Sequence, residues 1–441
     1  MKKERIISLL LSFLLLMQML VTGVCAQNET ADVPPEEVKK GPTLDCKSAL
    51  LLELNTDGIL YEKNADEKVY PASLTKVMTC LLALEHGNLE DMVTVDGSLL
   101  EGMDADASIV GLVNGETMSL ENLLYCIMVP SANDACLVVA DYIAGSVEDF
   151  VKMMNEKAAA LGCKGTHFVN PDGLHDDNHY TTARDMSIIT KAALKNDMFR
   201  KLCGTGEYTL PETNASSSRE VYSTNYFISR FINDSYYWDA ISGVKTGFTT
   251  PAGRCLISLL VQDDFSYLCI VMGAETPYDA DGKPVYGHFT ESRKLLEYGL
   301  ENFALLPVLS RLNPVAQVPV TGGEVSSVVV APAQDVRAML PTDFEQKDVS
   351  VSYTLSSGDS LQAPVAADDV VGTVYVSYDG KSVGKTELRA ISAVKKAGIL
   401  TAPTQEEDGN LLVIGAIVLG VVLLLVVIFS GRGKKRRKRR R

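Results

Sequence analysis

The chain has 441 residues, more than one ordinary domain holds. It is 46% hydrophobic and 22% charged, enough for at least one large folded core. Against 56 Asp and Glu stand 41 Lys and Arg, several of them at the two ends. The body between is strongly acidic, which argues against polyanionic partners such as nucleic acid.

Lys2, Lys3 and Arg5 precede an apolar run from Ile6 to Leu20, and Val24 and Ala26 sit at the small-residue positions of a cleavage site. Residues 1–26 therefore read as a secretory signal peptide. Lipidation of Cys25 is the alternative, and Val24 before it is larger than such sites usually accept. Residues 27–43, polar and carrying Pro34 and Pro35, read as a disordered lead-in. Eight cysteines remain after cleavage. An even count in an exported chain admits disulfides. Cys80, Cys126, Cys136 and Cys269 lie in apolar runs, however, where a free thiol packs as a small hydrophobe.

The stretch SALLLELNTDGILYEKN is a hairpin pattern, two apolar runs around Asn55-Thr56-Asp57-Gly58. From Ser73 to about Leu161 the pattern turns mostly helical. At its start stands Ser73-Leu74-Thr75-Lys76. Serine before an apolar run is a good N-cap, and alone the motif says no more. Yet a serine and a lysine three apart share a helix face. Burial and the positive end of the helix would both favour a neutral lysine, able to act as base. The exposed N–H groups of that turn could stabilise an oxyanion.

A second motif, Ser131-Ala132-Asn133, falls between two helical runs. It is either a plain turn or a relay hydroxyl with an amide for a substrate peptide group. The loop FVNPDGLHDDNHYTTARD holds His175, Asp176, Asp177 and His179, but at no spacing that fixes a metal. Thr182 then reads as a helix cap with Asp185 at the third helical position. Glu121 reads as a solvated residue on an apolar helix, and Arg254 is given no role. A third motif, Lys245-Thr246-Gly247, begins a late strand pair. There it offers a cation and a hydroxyl to a carboxylate, with a glycine that lets a ligand approach the backbone. The segment RCLISLLVQDDFSYLCIVMGAE is a further hairpin and HFTESRKLLEYGLENF a closing amphipathic helix. Strands from both ends can thus share one sheet with helices packed on it.

After Pro307 apolar and polar residues alternate and helical periodicity is lost, the pattern of a small all-β domain. A spacer and a binding module are both open readings for it. Residues 401–410 read as a linker. Leu411–Ser430 is uncharged and twenty residues long, and at about 1.5 Å per residue it matches the hydrocarbon thickness. A basic run from Lys434 to Arg441 follows it, which makes a spanning helix with a cytoplasmic tail (431–441) the expectation over a buried core helix.

Ser-x-x-Lys, Ser-x-Asn and Lys-Thr-Gly in this order form the signature set of penicillin-binding proteins and class A β-lactamases. Together with YPASLTKVMT, MNEKAAALGCKGTHFVNPDGL, HYTTARDM and VKTGFTTPAGRCLI, the chain resembles the low-molecular-mass penicillin-binding proteins of the peptidase S11 family, serine-type D-alanyl-D-alanine carboxypeptidases. LQAPVAADDVVGTVYV resembles the second domain of that family. The resemblance implies an α/β (α+β) DD-peptidase-like domain with an antiparallel sheet and a helical block over 44–306. A β-rich domain over 307–400 and the transmembrane helix over 411–430 would follow.

It further implies that Ser73 is the nucleophile, Lys76 the base and Ser131 the proton relay. Asn133 would position the substrate, and Lys245, Thr246 and Gly247 would receive its carboxylate end. The backbone N–H groups of Ser73 and Phe248 would form the oxyanion hole. No cofactor or metal is called for. The expected partners are a peptidoglycan pentapeptide ending in D-Ala-D-Ala, β-lactams that acylate Ser73, and the membrane. The family's usual anchor is an amphipathic helix, so a spanning one is a departure. A β-lactamase would share the three motifs, but no Glu-x-x-Leu-Asn loop lies between Ser131 and Lys245.

Overall fold

The computed structural model describes residues 41–103 and 107–398. The signal peptide, most of the lead-in, the linker, the spanning helix and the basic tail expected from the sequence lie outside these residues. Among the described residues no helix is long and apolar enough to cross a membrane.

The hairpin β1 (Ser48–Glu53) and β2 (Ile59–Lys63) opens the body. A 3-10 turn, Ala72–Thr75, leads into α1 (Lys76–His86). The helical block then runs through the small hairpin β3 (Met92–Thr94) and β4 (Thr117–Ser119) to α2 (Leu120–Met128), α3 (Asn133–Ala144) and α4 (Val147–Leu161). After α5 (Ala183–Ala193) and α6 (Asp197–Cys203) comes a second small hairpin, β5 (Glu207–Leu210) and β6 (Arg219–Tyr222). The chain returns through β7 (Ile241–Thr249), β8 (Gly253–Val261), β9 (Ser266–Ala274) and α7 (Gly287–Asn302).

The central sheet has the order β2-β1-β9-β8-β7, with every neighbouring pair antiparallel. Strands from both ends of the domain meet in it, as the sequence pattern anticipates. β1 is buried throughout because the sheet is covered on both faces. Successive side chains point to opposite faces. Leu50, Leu52, Leu268 and Ile270 accordingly pack with the helical block, while Ala49, Leu51, Cys269 and Val271 pack with α7 residues such as Leu295 and Leu296. α1 runs through the helical block, and Lys76 to Ala83 are all buried. Side-chain caps fix several helix starts: Ser119, Ser146, Thr182 and Asn196 each accept a backbone N–H of the first turn. The Thr182 cap receives the Asp185 N–H at 3.0 Å, as expected. All eight cysteines in this body are free thiols.

The second domain starts at Phe303, directly after α7 and ahead of Pro307. β10 (Phe303–Leu309) pairs with β13 (Val336–Pro341). β11 (Ala316–Thr321), β12 (Ser327–Pro332), β14 (Val349–Leu355), β15 (Leu361–Gln362), β16 (Val370–Tyr378) and β17 (Lys381–Ala390) form one sheet, in the order β14-β16-β17-β12-β11-β15. Its core is built largely of valines, among them Val318, Val330, Val374 and Val376, β-branched residues suited to pleated surfaces. An Arg337–Asp264 ion pair at 3.1 Å and a Tyr267 hydroxyl to Met339 sulfur contact at 3.4 Å tie it to the first domain.

Candidate active site

The 3-10 turn Ala72–Thr75 sits between the free edge of β7 and the loop Asn170–Leu174. Both neighbours reach it through a glycine. A Cβ on Gly247 would stand 3.0 Å from the Ser73 nitrogen and from the Pro71 oxygen. On Gly173, whose φ is +86°, it would stand 2.0 Å from the Ala72 oxygen. The sequence assigns Gly247 to ligand approach. It also admits the turn that carries Ser73, while lining the pocket above it.

Ser73 also departs from the sequence reading. It is no cap: neither Pro71 nor Thr75, which precede the two helical segments, caps with a side chain, and Ser73 lies inside the tight turn. Its hydroxyl instead accepts a hydrogen bond from Lys76 Nζ at 2.9 Å. Lys76 is fully buried, and its ammonium makes two further bonds, to Asn133 Oδ1 at 2.7 Å and to the Asp172 carbonyl at 2.6 Å. Three donors meet three acceptors, so the lysine is fixed in aim toward the serine.

Asn133 opens α3, and its amide nitrogen is left for another partner once Oδ1 is held by Lys76. Next to it, Asp134 accepts the N–H groups of Gly111 and Leu112 at 3.0 Å each and holds that segment against α3. Ser131 precedes α3 with φ at +66°, and Ala72 has φ at +48°. Such conformations cost energy and persist where the surroundings enforce them.

A pocket of about 220 Å³ opens over this cluster. Ser73, Ser131, Thr246, Gly247 and Phe248 line it. Lys76, Asn133 and Lys245 lie behind that lining. Lys245 is 1% exposed and donates to the Thr246 carbonyl at 3.2 Å. Burial, with the Lys76 charge adding, pushes it well below the ordinary lysine range. Thr246 Oγ1 lies 2.5 Å from Thr224 Oγ1, a partner absent from the three motifs.

Sequence reasoning missed Arg254, which also lines the pocket. The signal was there: a lone charge in the otherwise apolar strand β8, in register opposite Phe248.

His179, from the loop with the metal-like composition, is structural. Its Nε2 is 2.8 Å from Thr75 Oγ1, whose own proton goes to the Ala72 carbonyl, and its Nδ1 accepts the Val169 N–H at 3.1 Å. This pattern assigns the neutral ring with the proton on Nε2. Burial pushes its pKa down to about 4, with the charges of His167, His175 and Lys76 adding and Asp176 opposing. The unfolded chain takes up a proton here near pH 6.5, whereas the folded chain does so only near 4. Stability present above pH 6.5 is therefore lost as pH falls through this window, on the order of 3 kcal/mol. His179→Gln is expected to flatten that limb. Urea unfolding at pH 7 and pH 4.5 checks it: equal losses in both proteins would mean that the ring is not held neutral.

The fold, with a serine and a buried lysine at the start of a central helix beside a sheet edge, is that of the serine DD-peptidases and β-lactamases. Residues 35–276 match the family model described as D-alanyl-D-alanine carboxypeptidase, and residues 303–396 match the C-terminal domain of penicillin-binding protein 5. D-alanyl-D-alanine carboxypeptidase DacF of Bacillus subtilis is 32% identical over 360 residues, covering 81% of this chain and 88% of its own. DacA of Escherichia coli is 30% identical over 370 residues, covering 80% and 84%. The crystal structure of penicillin-binding protein 5 from Haemophilus influenzae superposes with a TM-score of 0.64 at 29% identity, over 81% of this chain and 99% of that one. The chain belongs to the D-alanyl-D-alanine carboxypeptidase family.

Proposed function

We infer that the chain removes the terminal D-alanine from peptidoglycan stem pentapeptides through an acyl-enzyme on Ser73. It is a serine-type D-alanyl-D-alanine carboxypeptidase and a penicillin-binding protein. The observation that carries the assignment of roles is the single Lys76 ammonium, bonded at once to Ser73 Oγ and Asn133 Oδ1.

Lys76 acts as base only as the neutral amine, after giving up one proton; Ser73 Oγ then attacks the carbonyl of the penultimate D-alanine as Lys76 Nζ takes the hydroxyl proton. The N–H groups of Ser73 and Phe248 receive the oxyanion. The Asn133 amide holds the substrate peptide group, and Ser131 passes the proton to the leaving D-alanine nitrogen. Thr246 on the pocket lining, with Lys245 behind it, faces the carboxylate end. Water then releases the shortened peptide. β-Lactams acylate Ser73 because they mimic the D-Ala-D-Ala end.

Purified protein should release D-alanine from a pentapeptide ending in D-Ala-D-Ala and should hold bound penicillin for far longer than one turnover on the peptide. Rapid release of hydrolysed penicillin would instead make it a β-lactamase.

The place of action follows from the ends of the chain. Residues 1–26 direct export, Leu411–Ser430 spans the membrane, and the basic tail stays in the cytoplasm, so residues 27–410 face the wall. The charge contrast between the acidic TQEEDGN segment and the Lys434–Arg441 run supports this orientation. Cell fractionation tests it. A penicillin-labelled band that stays in the membrane fraction, and moves to the medium when residues 411–441 are deleted, is the expected result; a soluble cytoplasmic band would sink it.

A further inference from the structure

The second domain leaves one sheet edge bare. β14 stands at the end of its six-stranded sheet, bonded to β16 on one side and, among the described residues, to no strand on the other. Its sequence, VSVSYTL, alternates apolar and hydroxyl residues without a break. Val351 and Tyr353 stand opposite the core residues Val376 and Val374, and so point to the core face of the sheet. Yet they are 43% and 40% exposed, because the core ends before it covers them.

An edge strand offers a row of unpaired N–H and C=O groups, which folded chains blunt with charge, proline, a bulge or a cover. The other edges here are treated in such ways. β2 carries Glu62 and Lys63, β7 faces the Ser73 turn, and β15 is only two residues long. β14 has no charge and no proline, and its register with β16 runs through seven pairs without a shift.

The order of its residues says which partner fits. Turned end for end about Ser352, the strand presents Val351 to Tyr353, Val349 to Leu355 and Ser350 to Thr354. Apolar side chains then meet on one face and hydroxyls on the other. A β-branched residue against an aromatic ring is a favoured cross-strand pair. A slip of one residue would set apolar against hydroxyl throughout, so the register is specified. Charge agrees. The chain has a formal net charge of −15, so two copies repel over much of their surface. No charge enters this pairing, and Asp348, just before the strand, falls opposite the uncharged Ser356.

We propose that β14 is a self-association edge, at which two copies of the chain pair antiparallel about a two-fold axis through Ser352 and join their second-domain sheets. Such a contact is isologous and closes at two copies. At about 3.3 Å per residue it is roughly 23 Å long. A single strand edge of that length falls short of the roughly 1,000 Å² of lasting interfaces, so the pair forms and parts readily. No residue of β14 lines the pocket at Ser73, and catalysis should not depend on the pairing.

The test traps the pair. Ser352 is exposed on the hydroxyl face, so substitution there leaves the core alone. On the axis, residue 352 faces its own copy at about 4.5–5.5 Å between Cα atoms, within disulfide reach. Residue 350 lies roughly 13 Å from its own copy, out of reach. In the full-length chain in detergent, treated with copper phenanthroline, Ser352→Cys should form at least tenfold more reducible dimer than Ser350→Cys. Wild type, whose Cys46 and Cys163 are the partly exposed thiols among the described residues, should stay monomeric. A second measurement needs no thiol. Energy transfer between donor- and acceptor-labelled copies at high concentration should fall to background in Ser352→Lys and in Ser352→Glu, each of which sets like charges face to face, and return when the two variants are mixed. D-alanine release and thermal midpoint should match wild type in both, which shows that they fold. Equal trapping at 350 and 352, or trapping at neither, overturns the proposal. So does energy transfer that the Lys and Glu variants leave unchanged, or a loss that mixing them does not restore.

Discussion

Ser73→Ala is expected to lose D-alanine release and covalent penicillin labelling together, with its thermal midpoint within a few degrees of wild type. The loss should be on the order of 10⁴-fold or more, as for other activated serine nucleophiles. Stability survives because the hydroxyl accepts one hydrogen bond, and Lys76 keeps its two stronger-placed partners, Asn133 Oδ1 and the Asp172 carbonyl. The backbone turn beneath Ser73 is set by Pro71, Thr75 and the two glycines packed against it, none of which the substitution touches. Gel labelling with a fluorescent penicillin checks it directly. Equal labelling of both proteins would mean that another side chain carries the acyl group.

Gly173→Ala should be nearly as damaging although residue 173 bears no reactive group. Its φ of +86° already disfavours any side chain, by roughly 1–2 kcal/mol. The added methyl would also lie 2.0 Å from the Ala72 oxygen and 3.0 Å from the Ser73 nitrogen. Either the Ala72–Ser73 peptide or the loop must move, and the loop carries the Asp172 carbonyl that holds Lys76. Nucleophile and base are then displaced relative to one another. A misplacement near 1 Å costs about 100-fold in rate, so penicillin acylation should slow by at least that factor. Stopped acylation assays alongside thermal unfolding separate the two effects. Unchanged acylation would mean that the loop yields without disturbing the serine.

Much of this arrangement is legible in the residues. Apolar runs read as hairpins at both ends of the domain pointed to a shared sheet, and the Thr182 cap needed only four residues to be read. Ser73, Lys76 and Asn133 do meet, as their motifs required. The rest depended on contacts that no local pattern carries. Asp172 reaches Lys76 across 96 positions, and Thr224 meets Thr246 from a segment without a motif. The serine before an apolar run looked like a helix cap, but pressure from Gly247 and Gly173 fits it into a tighter turn whose hydroxyl faces the lysine. Sequence spacing also put Lys245 near the site but could not report that it is buried behind the Thr246 lining. Arg254 stood out only as a charge on a strand that should have had none.

The strand order has a consequence for the timing of folding. β1 lies between β2, its neighbour in the chain, and β9, which follows only after the whole helical block. A polypeptide truncated before Ser266 lacks the strand that joins β1 to β8, so neither face of the sheet has a continuous surface for its helices. Non-local pairing of this kind raises contact order and slows folding. The domain therefore stays open until nearly all of its residues are available, a delay that suits the export proposed above, in which the chain is threaded unfolded through a membrane.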